Sequence, residues 1–302
     1  MNPEITEQTR LMVRVLAHVA RETCFALKGG TAINFFLRDM PRLSVDIDLV
    51  YVAVEPRSQT QQRIGQALQR IQEAISRNIR GSTVQAGLVE GHAAKLLVRG
   101  PGGQVKVEPD PLLRGTVYPS KQTTMVPRAE KEFGLRVSMP TTSKPDLYGG
   151  KICVALDRQH PRDLFDIKLL QENEGLTPEI RRAFVVYWAS HERPMHELID
   201  PARLDVRALY ESAFVGMTDD PVSCDDLIIA REKLIGQLAR DLDDAERKFA
   251  VSLMKGVPDW GLLGIDGLDK LPAIQWKLRN IGRMDYKKHE EQLLLLRQKL
   301  GL

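Results

Sequence analysis

The 302-residue chain is poor in cysteine, and its three cysteines are far apart in sequence. Cys24, Cys153 and Cys224 have none of the close spacings of a metal-binding motif or a disulfide framework, so they indicate reduced thiols. Residues 1–10 lack an apolar signal core, and no uninterrupted apolar run approaches the length that crosses a bilayer. The sequence therefore predicts a cytoplasmic protein with no membrane partner.

Internal repeats and low-complexity segments are also absent, and no large excess of one charge is present. The net charge of +3 is mildly basic, which permits a nucleic-acid partner without requiring one. The length allows two ordinary domains, each with its own core. Proline breakers separate helix-like segments from about Thr177 onward. We therefore expect a first domain over residues 1–172 and an all-helical domain over residues 173–302.

Two glycines between an apolar run and a helix-like stretch are the most informative feature of the chain. Cys24–Leu27 reads as a strand, Gly29-Gly30-Thr31 as a turn with Thr31 able to cap a helix, and Ala32–Leu37 as that helix. Ser44–Leu49 then reads as a second strand. The order is strand, glycine turn, helix, strand.

The second strand carries two aspartates. Successive side chains in a strand point to opposite faces, so Asp46 and Asp48 should share one face, together with Ser44. Two neighbouring carboxylates repel each other unless a cation lies between them. The glycines allow close backbone approach, and a helix N-terminus offers N–H groups to an anion. The pattern favours a metal–triphosphate site; an edge strand with a solvated face is the alternative.

A second pair of predicted strands follows, joined by a glycine-rich turn. Ala94–Val98 and Gln104–Glu108 flank Gly100-Pro101-Gly102-Gly103, which is typical of a hairpin. Polar and apolar residues alternate in the second of these strands, so Lys106 and Glu108 should share a face. Glu108 is then either a site residue or an ordinary charged residue of an edge strand.

A cationic helix face and a pair of acids form the next motif. Leu147–Arg158 reads as a helix with Lys151 and Arg158 on one face. A His-Pro pair breaks it, and Asp163 and Asp166 lie near the start of a second helix, where acids suit the helix dipole.

These motifs, in this order, resemble a known group of enzymes. Gly-Gly-Thr before Asp-x-Asp resembles the signature of the DNA polymerase β-like nucleotidyltransferase superfamily. The pattern Lys-x3-Ala-Leu-x-Arg-x3-Arg-Asp-x2-Asp over residues 151–166 is similar to the third motif of the AbiEii/AbiGii family. That family comprises nucleotidyltransferase toxins of bacterial toxin–antitoxin and phage-defence systems, related to the MenT toxins. The resemblance covers roughly residues 25–170 and implies an α+β fold, with a mixed sheet flanked by helices.

The resemblance also implies roles for individual residues. It implies two Mg²⁺ ions, with Mn²⁺ as an alternative, held by Asp46, Asp48 and Glu108. The implied catalytic set is Asp46, Asp48, Glu108, Lys151 and Asp166. The implied nucleotide-binding set is Gly29, Gly30, Thr31, Ser44, Lys151, Arg158 and Asp163. Whether Asp163 or Asp166 supports the lysine stays open.

The resemblance further implies an NTP substrate, a cognate antitoxin and an RNA acceptor, with the tRNA 3′ end favoured. Residues 276–289 interleave cations with aromatics, which suits an RNA backbone and unstacked bases. The same stretch also fits an amphipathic helix with Trp276 in the core and solvated lysines. Two other functions stay open: AMPylation of a protein acceptor, and an inactive module that binds a partner.

Overall fold

A computed structural model of the chain describes residues 1–302. Close packing divides the chain into two compact units. The first comprises Met1–Ser143 with Val215–Pro221, and the second comprises Lys144–Phe214 with Val222–Leu302. The predicted domains were residues 1–172 and 173–302, so their limits differ from those of the compact units. A functional division between residues 172 and 173 stays a prediction.

The first unit contains a seven-stranded mixed sheet. In chain order its strands are β1 (Phe25–Lys28), β2 (Ile47–Tyr51), β3 (Thr83–Val89), β4 (His92–Gly100), β5 (Gly103–Arg114), β6 (Lys121–Thr124) and β7 (Ser138–Thr141). Their order in the sheet is β3-β4-β5-β2-β1-β7-β6. The pairs β2/β5 and β1/β7 are parallel, and the others are antiparallel. The two strands that follow one another around the glycine turn, β1 and β2, are thus neighbours near the middle of the sheet.

Four helices and one π-helical turn complete the first unit. They are α1 (Pro3–Val19), α2 (Gly29–Ala32), the π-helical turn Ile33–Leu37, α3 (Arg57–Asn78) and α4 (Pro127–Phe133). One face of α3 is apolar and packs in the core, since Leu68, Ile71 and Ile75 are fully buried. Burying such a stripe against a sheet stabilises both elements, because the hydrophobic effect scales with the apolar area removed from water. The expectation of helices flanking a mixed sheet is confirmed.

The predicted hairpin is also confirmed. Strands β4 and β5 pair antiparallel from Gly100↔Gly103 to Leu96↔Val107. Val105 and Val107 are fully buried, whereas Lys106 is exposed and Glu108 half-buried. The alternation therefore separates a core face from a polar face, as the sequence predicted.

A late segment of the chain returns to the first unit. The backbone N–H of Asn2 donates to the Gly216 carbonyl at 2.7 Å, and that of Leu43 donates to the Met217 carbonyl at 2.8 Å. Residues 215–221 therefore hold both the start of α1 and the segment that leads into β2. We call them the late segment.

The second unit consists of helices alone. These are α5 (Lys144–Arg158), α6 (Pro161–Glu172), α7 (Pro178–Ser190), α8 (Met195–Ile199), α9 (Arg207–Ala213), α10 (Cys224–Asp241), α11 (Asp244–Met254), α12 (Pro272–Gly282) and α13 (Tyr286–Leu300), with 3-10 turns at Trp260–Leu263 and Leu268–Lys270. The prediction of an all-helical C-terminal portion is confirmed. None of the helices in the structure combines the length and the apolar character that crossing a membrane requires.

The Gly149-Gly150 pair lies inside α5. The predicted helix over Leu147–Arg158 is confirmed, and α5 begins a little earlier, at Lys144. A Cβ on Gly149 would come within 2.7 Å of the Phe184 backbone nitrogen in α7. The glycine therefore serves close packing of α5 on α7.

Candidate active site

The predicted site residues form two groups, one in each compact unit. The first unit holds the glycine turn and the three carboxylates, with the set Gly29, Gly30, Thr31, Ser44, Asp46, Asp48 and Glu108. The second unit holds the lysine and its neighbours, with the set Lys151, Arg158, Asp163 and Asp166.

Gly29 has the conformation and the surroundings that exclude other residues. Its φ of +72° lies in the left-handed region, where side chains with a Cβ are strained. A Cβ there would stand 2.6 Å from Oδ2 of Asp48. The missing side chain of Gly29 thus leaves room for the Asp48 carboxylate against the backbone of the turn.

Thr31 links the glycine turn to the segment before β2. Its hydroxyl is hydrogen bonded to Oγ of Ser44 at 2.9 Å and donates to the carbonyl oxygen of Asp46 at 2.5 Å. The predicted helix cap at Thr31 is wrong, because α2 begins at Gly29 and Lys28 is its N-cap residue. The hydroxyl instead fixes the backbone of one of the two aspartates.

The predicted strand over Ser44–Leu49 is only partly right. Strand β2 begins at Ile47, so Asp48 lies in the strand while Ser44 and Asp46 lie in the segment before it. The expected shared face of all three residues therefore does not follow from strand geometry. The hydrogen bonds with Thr31 hold Ser44 and Asp46 against α2, and these residues do not belong to β2.

Arg42 lies beside the predicted site residue Gly30, although no sequence pattern indicated it. Its side chain is buried, and Nη1 donates to the carbonyl oxygen of Leu43 at 2.9 Å. A Cβ on Gly30 would stand 2.7 Å from Nη2 of Arg42 and 3.3 Å from Oγ of Ser44. The second glycine of the turn thus leaves room for a buried guanidinium, a contact that no local motif signals.

Asp48 and Glu108 face one another across two neighbouring strands. They are register partners in the parallel pair β2/β5, and such partners project to the same face of a sheet. No group of three His, Cys, Asp or Glu side chains gathers in the structure as a complete ion cage. Mg²⁺ in nucleotide enzymes is commonly bound by one or two carboxylates plus substrate phosphates. The hard oxygen donors of this pair fit an ion that arrives with a triphosphate.

Lys28 and Asp110 form a second pair on the same face. Lys28 is the register partner of Asp48 in the antiparallel pair β1/β2, and Asp110 follows Glu108 by two residues in β5. The Lys28 Nζ atom lies 2.5 Å from Oδ2 of Asp110. Burial acts to raise the pKa of Asp110, but the Lys28 ammonium and the backbone N–H groups of Leu113 and Leu112 together lower that pKa. The alternation that selected Glu108 also includes Asp110, so the sequence contained this signal.

Lys151 lies in a buried ion cluster of the second unit. Its Nζ is 2.7 Å from Oδ1 of Asp163 and 2.9 Å from Oδ2 of Asp166, and all three side chains are at least 95% buried. Lys151 is therefore buried, and it is not an ordinary exposed lysine on the surface of α5. Both acids, not one, contact the lysine, because α6 packs its first turns against α5.

Arg158 completes the charge balance of this cluster. Its Nε lies 2.7 Å from Oδ2 of Asp163, while more than half of the arginine side chain is exposed. Burial acts to raise the pKa of Asp163, but Lys151 and Arg158 together hold that pKa well below its usual range. Two cations thus neutralise the two acids Asp163 and Asp166.

The basic stretch over residues 276–289 divides into a buried and an exposed part. Lys277 is buried and donates to the carbonyl oxygens of His191 and Arg193 at 2.7 and 3.2 Å. Burial lowers the pKa of Lys277 to about 8. Trp276 is half-buried, so it is neither a fully buried core residue nor a fully exposed aromatic side chain. The exposed side chains of the stretch are Arg279, Arg283, Asp285, Tyr286, Lys287 and Lys288.

One solved structure has a fold similar to that of this chain. The nucleotidyltransferase toxin MenT4 of Mycobacterium tuberculosis H37Rv has a similar structure, with a TM-score of 0.63 and 18% sequence identity over 98% of this chain and 95% of that chain. At this identity the similarity shows the fold alone. JHP933 from Helicobacter pylori aligns with a TM-score of 0.42 and 14% identity over 76% of this chain and 92% of that chain, too low to carry an argument. No curated protein matches the chain in sequence.

The family comparison covers most of the chain. The sequence profile of the family described as nucleotidyl transferase AbiEii toxin, type IV toxin–antitoxin system, matches residues 10–280. The match includes the glycine turn, β5 and the Lys151 cluster, and it extends well into the helical second unit. The chain therefore belongs to the AbiEii family of nucleotidyltransferase toxins of type IV toxin–antitoxin systems.

Proposed function

We propose that the protein transfers a nucleoside monophosphate from an NTP to a hydroxyl of an RNA acceptor, with release of pyrophosphate and with Mg²⁺ bound at Asp46, Asp48 and Glu108. The observation that carries this proposal is the Asp48–Glu108 register pair, one member of which packs on the backbone of Gly29. A carboxylate pair beside a glycine turn suits a metal–triphosphate ligand.

The chain's own residues each have a defined part in this proposal. Gly29 and Gly30 admit the polyphosphate close to the backbone, and Thr31 holds the Asp46 carbonyl and Ser44 in position. When bound, a pair of Mg²⁺ ions would supply charge stabilisation of the attacking and leaving oxygens. Asp46 and Asp48 would hold both ions, and Glu108 would complete the acceptor-side ion or take the proton of the acceptor hydroxyl.

For the second unit we propose that the Lys151 cluster serves the nucleotide. Lys151 is the cation that offsets charge on the leaving phosphates, and Asp166 and Asp163 orient its ammonium. Arg158, more than half exposed and tied to Asp163, is the second nucleotide-binding cation. The two ion pairs of Lys151 support this assignment, because a lysine that is held by two carboxylates has a fixed orientation.

An RNA acceptor is favoured by the exposed part of the 276–289 stretch. Four cations and Tyr286, with the single acid Asp285, are exposed there within ten residues. Lys and Arg side chains beside an aromatic side chain are what a single-stranded RNA contacts. Within RNA acceptors we favour the tRNA 3′ end, as expected for this family.

The direct test is transfer of label. The purified protein is incubated with total RNA, Mg²⁺ and each of the four NTPs in turn, labelled at the α-phosphate, and the products are separated by size. We expect label in one RNA class with one or two NTPs, and none with Asp48→Asn or without Mg²⁺. A second reaction, with cell lysate proteins in place of RNA, tests the AMPylation alternative. If that alternative is correct, the label enters protein.

An inactive partner-binding module would give a different result. It would transfer no label, and Mg²⁺ with an NTP would leave its melting temperature unchanged, because only ligands that bind the folded state raise stability. Toxicity is tested separately by induced expression with and without the cognate antitoxin. Growth arrest by wild type but not by Asp48→Asn would support a toxin whose activity is the transfer reaction.

A further inference from the structure

Lys28 is a cation beside the glycine turn that the proposed nucleotide-binding set does not include. It is the last residue of β1 and precedes the glycine turn directly. Through the two strand registers, Lys28, Asp48 and Glu108 form one row across β1, β2 and β5 on one face of the sheet. The row brings one cation beside the two facing carboxylates.

The ion pair with Asp110 fixes where the ammonium lies. Neighbouring strands are about 4.8 Å apart, so β1 and β5, which have β2 between them, are separated by roughly 10 Å. The 2.5 Å contact between Lys28 Nζ and Asp110 Oδ2 therefore spans β2, the strand that carries Asp48. The lysine side chain is extended across the sheet and does not point away into solvent.

Asp110 is itself held rigidly. Its other oxygen, Oδ1, accepts the backbone N–H groups of Leu112 at 3.0 Å and Leu113 at 2.8 Å. Lys28 has three N–H donors, of which Asp110 uses one, and about a quarter of the lysine side chain is exposed. A ligand on this face can therefore receive a charge-assisted hydrogen bond without breaking the pair.

We propose that Lys28 is a further nucleotide-binding residue, whose ammonium donates to an oxygen of the polyphosphate chain, and that Asp110 is the positioning residue that holds it over β2. This inference rests on the proposed function. It adds a cation from the first unit, next to the glycine turn, to the nucleotide-binding set. It also gives a function to the contacts of Asp110, which is fixed by two backbone N–H groups and holds the Lys28 ammonium in place.

The test measures binding of inorganic tripolyphosphate with Mg²⁺ by calorimetry, which probes phosphate contacts without a base or an acceptor. The variants are Lys28→Met, Lys28→Arg and Asp110→Asn, with Lys121→Met as the control, since Lys121 is an exposed lysine of the edge strand β6. We expect Lys28→Met to weaken binding by roughly tenfold or more, as for loss of a charged hydrogen bond. Lys28→Arg should lose less, and Lys121→Met should bind as wild type.

Asp110→Asn separates positioning from direct binding. Its amide oxygen still accepts from Leu112 and Leu113, so the strand end is kept while the ionic hold on Lys28 is lost. We expect a smaller loss of affinity than in Lys28→Met, and no further loss when Asp110→Asn is added to Lys28→Met. Additive losses would show that Asp110 acts without Lys28 and would overturn its positioning role.

The outcomes also distinguish this inference from the proposed function. If wild type neither binds Mg²⁺–tripolyphosphate nor transfers label, the proposed function fails. If wild type binds and Lys28→Met binds equally well, the function stands and the role of Lys28 is refuted. If Lys28→Met does not fold, the comparison is made between Lys28→Arg and Lys28→Gln, and equal affinities of the two refute the role in the same way.

Discussion

The Asp48 carboxylate occupies the space that a side chain on Gly29 would need, with Oδ2 2.6 Å from the position of a Cβ. The glycine turn and the Asp48 side chain are therefore complementary in shape. Two properties of Gly29, its positive φ and this contact, can be separated by experiment.

Gly29→Ala should lose transfer activity and lower the free energy of unfolding by about 1–3 kcal/mol, because the backbone is strained and Asp48 is displaced. Urea denaturation and the labelled-NTP assay measure the two effects. Gly134→Ala is the matched control, since Gly134 has a φ of +67° but no atom within 4 Å of its Cβ position. The control should lose stability only. Normal transfer by Gly29→Ala would contradict a site at this turn.

Asp46→Ala and Asp48→Ala should each abolish transfer while the protein stays folded. Each change removes a proposed Mg²⁺ ligand, and loss of one carboxylate relieves repulsion from its neighbours when no metal is bound. We expect a melting temperature equal to or above that of wild type without Mg²⁺, and no increase when Mg²⁺ and NTP are added. Full transfer activity in both variants would rule out the assignment of the metal site.

Lys151→Ala should abolish transfer and lower the free energy of unfolding by about 3–5 kcal/mol, because it leaves Asp163 and Asp166 buried with too little positive charge. Lys168→Ala is the control, since Lys168 pairs with Glu172 in an exposed i,i+4 contact on α6. That change should cost about 0.5 kcal/mol or less. Equal costs for the two variants in urea denaturation would show that the Lys151 cluster adds no stability of its own.

Asp163 should make the protein sensitive to acid. The folded-state pKa of Asp163 lies below its ordinary value of 3.8, so the unfolded chain binds a proton first as the pH falls. Its contribution to stability is complete well above pH 3.8 and is lost progressively as the pH drops from there toward the folded-state pKa. Unfolding free energies of wild type and Asp163→Asn from pH 6 to pH 2.5 measure this. The difference between the two proteins should shrink at low pH, and a constant difference would contradict the prediction.

Arg283→Ala and Lys287→Ala should weaken RNA binding, and each should reduce the slope of log affinity against log salt by roughly one unit. Both side chains are exposed. Lys277→Met, in the same stretch, replaces a buried lysine that binds backbone carbonyls, so it should change stability and not RNA affinity. Filter binding of tRNA at several salt concentrations provides the measurement. A loss confined to Lys277→Met would assign the stretch to the core.

Local sequence patterns predicted the elements well where one face is buried. The alternation in β5 was predicted correctly because burial of one face of a strand imposes a period of 2 on apolar residues. Ser44 and Asp46 were misassigned to a strand because hydrogen bonds from Thr31, thirteen and fifteen residues away, decide their conformation.

The ion-pair partners of Lys28 and Lys151 could not be predicted from the sequence for a similar reason. Lys28 and Asp110 are 82 residues apart and meet only because β1, β2 and β5 are assembled in that order. Lys151 is buried because α6 packs against α5, and the helical pattern of α5 alone does not reveal that contact. Charge pairing between elements is a property of topology, which periodicity does not contain.

The late segment has a consequence for synthesis. Domains generally fold as units while the chain emerges from the ribosome. Here the residues that bind Asn2 and Leu43 are made only after 71 residues of the second unit, Lys144–Phe214. The segment leading to Ser44 and Asp46 therefore lacks its anchor in the nascent protein until residue 221 has emerged. A chain that ends at residue 143 lacks both of these hydrogen bonds, so we expect the proposed nucleotide site to be completed only when synthesis is well past the midpoint.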